Sequence, residues 1–85
     1  MKIYYTKKFE REYKKIGQDL KLRIEALETI FRKDPFAKIL KTHKLHGGLA
    51  GLCSFSVDFK NRIVFEFADK ETVFFHSIGS HDIYK

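Results

Sequence analysis

Hydrophobic residues recur at helical spacing in the first part of the chain. Phe9, Tyr13 and Ile16 stand at positions i, i+4 and i+7, so they would share one face of a helix that begins at Lys7. Thr6 precedes this segment, and its hydroxyl can accept a hydrogen bond from a free backbone N–H of the first turn. The pattern therefore predicts an amphipathic helix with Thr6 as its N-cap.

A second stripe at helical period follows over residues 18–33. We expect Gly17 to end the first helix in the left-handed conformation, which glycine adopts readily. Asp34 and Pro35 end the second helix, because the residue before a proline disfavours helical backbone angles. The apolar stripe of this helix consists of Leu20, Ile24, Leu27, Ile30 and Phe31.

From Ala50 onward the hydrophobic period changes from helical to alternating, which is typical of strands. The segment "FKNR" indicates a tight hairpin turn, after which "RIVFEF" predicts a second strand. The segment "ADKET" turns the chain again, and "VFFHSIG" predicts a third strand. Alternation in the first of these strands places four residues on one face: Cys53, Phe55, Val57 and Phe59.

These elements predict an α+β fold in a single domain over residues 1–85. Two N-terminal helices would pack on one face of a twisted antiparallel sheet. The sheet would contain the three-stranded C-terminal meander, with the short N-terminal strand "KIYY" free to join its edge. A chain of 85 residues is near the size at which one hydrophobic core is just sufficient, and its nine Phe and four Tyr help to fill that core.

Cysteine content and hydropathy limit where this chain could act. Cys53 is its one cysteine, which excludes an internal disulfide framework and fits a reducing compartment. The N-terminal segment lacks the apolar stretch of a signal peptide, and no apolar run approaches the roughly 20 residues that span a bilayer. We therefore expect a soluble, cytoplasmic protein that does not interact with membranes.

Positive charge is concentrated in the first half of the chain. Residues 7–33 carry nine Lys and Arg against five Asp and Glu, and the net charge of the whole chain is +6. The basic, glycine-rich segment 41–51, "KTHKLHGGLAG", joins the helices to the strands and contains His43, Lys44 and His46. Such a distribution is expected of a protein that binds phosphates, although it also fits a solvated helix face and a flexible connector.

Three segments together carry a resemblance to a known family. The loop "HKLHG", the strand "RIVFEF" and the closing "IGSHDIY" follow a strand and two helices, and this order resembles the RelE/ParE superfamily of toxins from bacterial type II toxin–antitoxin systems. The chain is most similar to YafQ-like and RelE-like mRNA interferases. The resemblance implies a RelE-like fold and a toxin that enters the A site of the 30S ribosomal subunit. Such a toxin cleaves mRNA without a metal or other cofactor and inhibits translation.

The same resemblance implies a cognate antitoxin as partner, with operator DNA bound only by the toxin–antitoxin complex. An acidic or amphipathic antitoxin segment would lie across the helices and the sheet edge. It would cover some of Lys44, Arg62 and His81 or displace the C-terminal tail, and charge screening would then weaken its binding as salt rises.

Metal-free RNA cleavage needs a base for the 2′-OH proton, an acid for the leaving 5′-oxygen and cations for the phosphorane. Histidine can serve as acid or base because its unperturbed pKa is about 6.5. By the resemblance, His81 is the general acid, and His43 is a base or a substrate-orienting residue. Arg62 matches the arginine that RelE-like toxins place on the scissile phosphate. A guanidinium group suits that role because it can donate two parallel hydrogen bonds to phosphate oxygens.

The remaining candidates have weaker support. Asp58 would be a base or tune a histidine, but a structural ion pair with Arg62 across the hairpin is equally compatible with its position. Tyr84 could stack on a base or orient the phosphate, or it could close over the sheet edge. Lys44 and His46 of the basic loop are candidates for substrate binding. By alternation His76 shares a face with apolar residues, which predicts a core position.

Two departures and two alternatives qualify the resemblance. The YafQ-like pattern has a further histidine and aspartate where this sequence has Ser56 and Asn61, which leaves open which residue is acid and which is base. The histidine spacing does not fit known zinc motifs, so no metal site is predicted. ParE-like relatives instead poison DNA gyrase by binding, without nuclease activity. The chain could also be a toxin that has lost its activity and only binds its antitoxin, or operator DNA as a complex.

Overall fold

The computed structural model describes residues 1–80 and contains two helices at the predicted positions. Helix α1 spans Lys7–Lys15 and helix α2 spans Gln18–Lys33. The hydroxyl of Thr6 accepts a hydrogen bond from the backbone N–H of Phe9 at 3.1 Å, which confirms the predicted N-cap. The prediction for Gly17 is wrong, because this residue is extended (φ −73°) and serves as the N-cap of α2.

The two helices accompany a five-stranded sheet of order β1-β5-β4-β3-β2. The strands are β1 (Lys2–Tyr5), β2 (His43–Lys44), β3 (Cys53–Ser56), β4 (Asn61–Phe67) and β5 (Thr72–Ser80). Strand β1 pairs with β5 in parallel, and the other neighbours pair antiparallel. The sheet is therefore mixed, and the predicted connector contributes β2 as an edge strand between two short 3-10 helices, Lys38–Leu40 and Gly47–Leu49.

The apolar stripes of both helices meet the sheet in one hydrophobic core. Phe31 of α2 is fully buried, and its ring centroid lies 5.2 Å from Phe55, 4.9 Å from Phe65 and 5.4 Å from Phe75. Phe9 of α1 packs on the same cluster through Phe75, at 5.7 Å. The predicted packing of two helices on one sheet face is confirmed. We call this the inner face, and we call the opposite side of the sheet the outer face.

A β-bulge on β5 changes the position of His76. Val64 pairs with Ser77 and Phe65 pairs with Phe75, so His76 is the extra residue between these pairs. Its ring lies near Phe74 and its Nε2 is 2.9 Å from Oε1 of Glu66, at a partly exposed position. The predicted core position for His76 is wrong, because the bulge moves Ile78 to the inner face and leaves His76 beside a charged partner.

The hairpin between β3 and β4 also differs from the prediction. Its backbone closes where the N–H of Val57 donates to the carbonyl of Asn61 at 2.9 Å. Phe59 therefore lies in the turn beyond the last paired residues, and not on the inner face with Phe55 and Val57. Within residues 1–80, neither helix is both long enough and apolar enough to cross a membrane.

Candidate functional site

A cationic cleft lies where the β3–β4 hairpin, the start of β2 and helix α2 meet. Its volume is about 560 Å³. Three cationic side chains and one carboxylate line it, so positive charge dominates. The lining residues are Arg23, Ile39, Lys41, His43, Ser56, Val57, Asp58, Phe59 and Arg62. Three residues predicted from the sequence, His43, Asp58 and Arg62, are thus brought together although up to 19 positions separate them in the chain.

Strand pairing puts the central polar side chains of this cleft on the outer face. His43 pairs with Ser54, and Ser56 pairs with Arg62. Ser54 and Ser56 are two residues apart on one strand, and side chains alternate along a strand, so these four residues share one face. Phe55, between the two serines, is buried on the inner face. The sheet itself therefore aligns His43 and Arg62.

The guanidinium group of Arg62 is held in place by its neighbours on the sheet. Its Nη1 donates a hydrogen bond to the hydroxyl oxygen of Ser56. On the other side, Arg62 pairs with Gly79 of β5, which has no side chain to cover it. A guanidinium group has five N–H donors, and within residues 1–80 the bond to Ser56 is the side-chain hydrogen bond that Arg62 makes, so further donors can bind an anion.

His43 is oriented by two hydrogen bonds. Its Nδ1 lies 3.2 Å from the carbonyl oxygen of Lys41, and its Nε2 lies 3.4 Å from the hydroxyl of buried Ser54. A carbonyl oxygen only accepts, so Nδ1 carries the proton and donates it in this arrangement. In the neutral imidazole Nε2 is then the acceptor, and the Ser54 hydroxyl donates to it. In that form the imidazole presents a basic nitrogen on the outer face, with a serine as its neighbour.

The carboxylate of Asp58 closes the hairpin. Its Oδ1 accepts hydrogen bonds from the backbone N–H groups of Lys60 at 2.9 Å and of Asn61 at 2.6 Å. The side-chain amide of Asn61 adds contacts to Oδ1 and Oδ2 at 3.2 and 3.3 Å. Burial acts to raise the pKa of Asp58, but these hydrogen bonds and the charge of Arg23 together hold that pKa below its usual value.

The predicted alternative of an ion pair between Asp58 and Arg62 does not form. Within residues 1–80, the N-terminal amine of Met1 pairs with Glu71 and the imidazole of His76 contacts Glu66, and neither contact involves Asp58 or Arg62. The carboxylate of Asp58 is instead engaged by its own turn.

Two cations of the cleft, Arg23 and Lys41, were not singled out from the sequence. Arg23 reaches across from α2, where its Nε donates to the carbonyl oxygen of Val57. Lys41 has a left-handed backbone (φ 50°) at the end of the first 3-10 helix, and it leads into β2. For Lys41 the signal was its place in the basic connector, two residues before His43. No local signal marks Arg23, because its approach to β3 depends on the packing of α2.

Two predicted residues, Lys44 and His46, do not line the described cleft. Lys44 follows His43 on β2 and pairs with Cys53, so alternation directs it to the other side of the sheet. His46 precedes the second 3-10 helix and is exposed outside the cleft lining. His81 and Tyr84 lie outside the described residues. The described part of β5 ends at Ser80, which pairs with Asn61, the neighbour of Arg62.

Within residues 1–80, no three His, Cys, Asp or Glu side chains are grouped closely enough to hold a metal ion. The cleft donors in this range are His43 and one carboxylate, whose oxygens serve the hairpin. The described arrangement therefore suits binding of an anion by cations more than binding of a metal ion.

The same fold is found in several solved toxin structures. A YoeB/ParE toxin from Agrobacterium tumefaciens superposes with a TM-score of 0.81 at 21% identity, covering 95% of this chain and 99% of that chain. A chain of the E. coli DinJ–YafQ toxin–antitoxin complex gives 0.78 at 18% identity, covering 95% and 92%. A metal-bound toxin from Helicobacter pylori gives 0.76 at 28% identity, covering 100% and 99%.

Sequence comparison adds no family assignment. No protein-family model matches the chain, and no curated protein matches it significantly. The structural matches confirm the predicted RelE-like α+β fold and the likeness to YafQ and YoeB/ParE toxins.

Proposed function

We propose that this chain is the toxin of a type II toxin–antitoxin system and acts as a ribosome-dependent endoribonuclease on mRNA. The observation that carries the proposal is the cationic cleft on a toxin fold, with a histidine and an arginine aligned on the outer face. A polyanion is the ligand that such a cleft attracts, and cations close to a scissile phosphate lower the energy of the charged transition state.

In this proposal Arg62 holds the scissile phosphate and His43 takes the proton from the 2′-OH. The planar guanidinium of Arg62 is suited to two phosphate oxygens at once. Nε2 of His43 is the basic nitrogen, and Ser54 would give up its hydrogen bond to it when the substrate hydroxyl arrives. Arg23 and Lys41 would bind the flanking phosphates.

His81 would donate the proton to the leaving 5′-oxygen, and Tyr84 would position the RNA. Both roles stay predictions from the resemblance. The chain enters this segment from Ser80, at the end of the sheet that carries Arg62, which supports the assignment. Asp58 serves the reaction indirectly in this scheme, by shaping the hairpin. No metal takes part in the proposed steps.

The test is cleavage of mRNA on programmed ribosomes, mapped by primer extension. Arg62→Ala should lower the cleavage rate by about 10²–10³, the usual loss for a group that stabilises transition-state charge. His43→Gln and His81→Ala should each lower it by about 10²–10⁴, the usual range for general acid–base catalysis. Lys70→Ala is the matched control, because it removes a cation at the opposite end of the sheet, in the β4–β5 turn.

Two further readouts complete this test. Thermal melting of each variant separates loss of chemistry from loss of fold. Protein treated with a chelator and then dialysed into ribosome buffer should keep full activity if the reaction needs no metal of its own. Full cleavage by folded Arg62→Ala and His43→Gln variants would contradict the assignment of the cleft as the active site.

The proposed partner is a cognate antitoxin, as the DinJ–YafQ comparison suggests. An acidic or amphipathic antitoxin segment that neutralises the cleft would block binding of RNA. Operator DNA would be bound by the toxin–antitoxin complex and not by the toxin alone. Affinity for such a partner should fall as salt rises, because exposed charges are screened.

A second candidate function is inhibition of DNA gyrase by binding alone. One observation favours it: both ring nitrogens of His43 have hydrogen-bond partners, and the Asp58 carboxylate is used by its turn. A toxin that only binds needs no free acid or base. Inhibition of gyrase supercoiling by the purified chain, with no cleavage of translated mRNA, would support this candidate over the nuclease.

A further inference from the structure

The most exposed large hydrophobic side chain in the described structure is Phe59, at the tip of the β3–β4 hairpin. It is 96% exposed, whereas Phe31, Phe55, Phe65 and Phe75 are fully buried. A phenylalanine in a turn contributes nothing to this core, and polar residues or glycine are the usual occupants of turns. Single exposed apolar residues are common, so exposure alone does not assign a role. The residues around Phe59 indicate what its role is.

Phe59 lines the cationic cleft together with Lys41 and Arg62. Ile39, on the 3-10 helix across the cleft, is also an exposed apolar side chain. Apolar surface and positive charge are therefore presented to the same ligand. A purely anionic ligand would not need the ring, and a purely apolar ligand would leave the cations unsatisfied.

The hairpin that carries Phe59 is held in one shape. Asp58, directly before it, accepts hydrogen bonds from the backbone of Lys60 and Asn61, directly after it. The backbone of the turn is thus fixed on both sides of Phe59. An aromatic ring presented on a rigid turn loses little conformational entropy when it binds, because only the side-chain torsions remain to be ordered.

Single-stranded RNA combines the two chemistries that this cleft presents. Proteins that bind single strands track the phosphates with cations and stack unpaired bases on aromatic rings. We propose that Phe59 stacks on a nucleobase of the RNA whose phosphates are bound by Arg62 and its cationic neighbours. The inference rests on the proposed function in that RNA is the ligand, and it adds a base-binding residue to the site.

The test measures binding separately from cleavage. The probe is a fluorescein-labelled 2′-O-methyl RNA of about ten nucleotides, within the length range that single-strand sites occupy. The methyl group blocks the 2′-OH, so the probe cannot be cut. A second probe has the same backbone with abasic residues throughout. Dissociation constants are measured by fluorescence anisotropy at several salt concentrations.

Phe59→Ala should weaken binding of the base-containing probe roughly 5- to 100-fold, the loss expected for one stacked base. Phe59→Trp should retain the affinity. Neither variant should change the slope of log affinity against log salt, because the phosphate contacts remain. Arg62→Ala should reduce that slope by about 0.7, the value for one phosphate contact on a single strand. On the abasic probe Phe59→Ala should have no effect.

Phe36→Ala is the matched control. Phe36 is also an exposed phenylalanine, but it stacks on Phe67 with ring centroids 6.2 Å apart and does not line the cleft. Its removal should leave both probes unaffected. Because the Phe59 side chain is 96% exposed, its substitution should also leave thermal stability unchanged.

Equal binding of the base-containing probe by wild type and Phe59→Ala would overturn the inference. An equal loss on both probes would also overturn it, because the ring would then contact the backbone and not a base. Base-dependent loss in a chain that does not cleave mRNA would uphold stacking while the nuclease proposal fails. A wild-type chain that binds neither probe would overturn the inference, while cleavage of mRNA on ribosomes decides the nuclease proposal separately.

Discussion

The Asp58 carboxylate offers a decisive comparison, because a turn-closing role and a catalytic role predict opposite results for one substitution. As a general base, Asp58 must exchange a proton. As the acceptor that closes the hairpin, it needs only an oxygen at the position of Oδ1. Asp58→Asn keeps that oxygen and abolishes the base, whereas Asp58→Ala removes both.

The expected effect on stability follows from the hydrogen bonds. Asp58→Ala removes two backbone N–H contacts to a charged acceptor, and a bond of that kind contributes about 1.5–3 kcal/mol. The freed N–H groups lie in a turn where water can replace part of this, so we expect a total loss of about 1–3 kcal/mol in the free energy of unfolding. Asp58→Asn keeps neutral bonds and should lose about 1 kcal/mol or less.

The difference between wild type and Asp58→Asn should also depend on pH. The folded state holds the pKa of Asp58 below its ordinary value of 3.8. A group with a lowered folded pKa stabilises the protein fully above its unfolded pKa, and this stabilisation is lost as pH falls through the folded pKa. The difference should therefore be constant near neutral pH and should shrink below about pH 4.

The assay is urea unfolding followed by circular dichroism, together with mRNA cleavage on ribosomes. Turn closure predicts that Asp58→Asn cleaves within a few-fold of wild type. A general base predicts a loss of about 10²–10⁴ for the same variant. A folded Asp58→Asn protein with a loss of that size would refute the turn-closing interpretation. Unchanged stability of Asp58→Ala would refute the energetic argument.

Three further substitutions test the fold. Phe31→Ala should lower the free energy of unfolding by about 3–5 kcal/mol, measured by urea unfolding, because it empties the centre of the aromatic core. A loss no larger than that of a surface substitution would contradict the central position of Phe31. His76→Ala should cost about 1 kcal/mol or less, since its partner Glu66 is partly exposed; a core-sized loss would refute this placement. Thr6→Ala should cost about 1–2 kcal/mol, because the hydroxyl caps α1 and also donates to the backbone of β5 at 2.9 Å; a stability change within error would argue against both bonds.

The secondary structure was largely predictable because its signals are local. Thr6 caps a helix through a residue three positions away, and the stripe from Leu20 to Phe31 repeats within one segment. Strand β2 escaped prediction because two residues carry no periodic signal, and their pairing partner, Cys53–Ser54, lies about ten residues on. The bulge at His76 depends likewise on register against β4, which periodicity does not encode.

Part of the candidate site was likewise predictable from the sequence, and part depended on the folded chain. His43, Asp58 and Arg62 were singled out from residue type and family resemblance, and the cleft contains all three. The turn-closing contacts of Asp58 and the exposure of Phe59 depend on where the hairpin begins: β3 ends at Ser56, whereas alternation predicted a strand that continues to Phe59.

Side-chain chemistry and local period were enough to indicate two helices, a sheet and a basic protein with histidines near its strands. The composition of the cleft required the folded chain. Arg23 from α2, Lys41 from the connector and Arg62 from β4 come within one volume because helix packing and strand register place them there. Burial of the shared aromatic core stabilises these long-range contacts. That stabilisation arises only when all the elements pack together, so no single segment of the sequence encodes it.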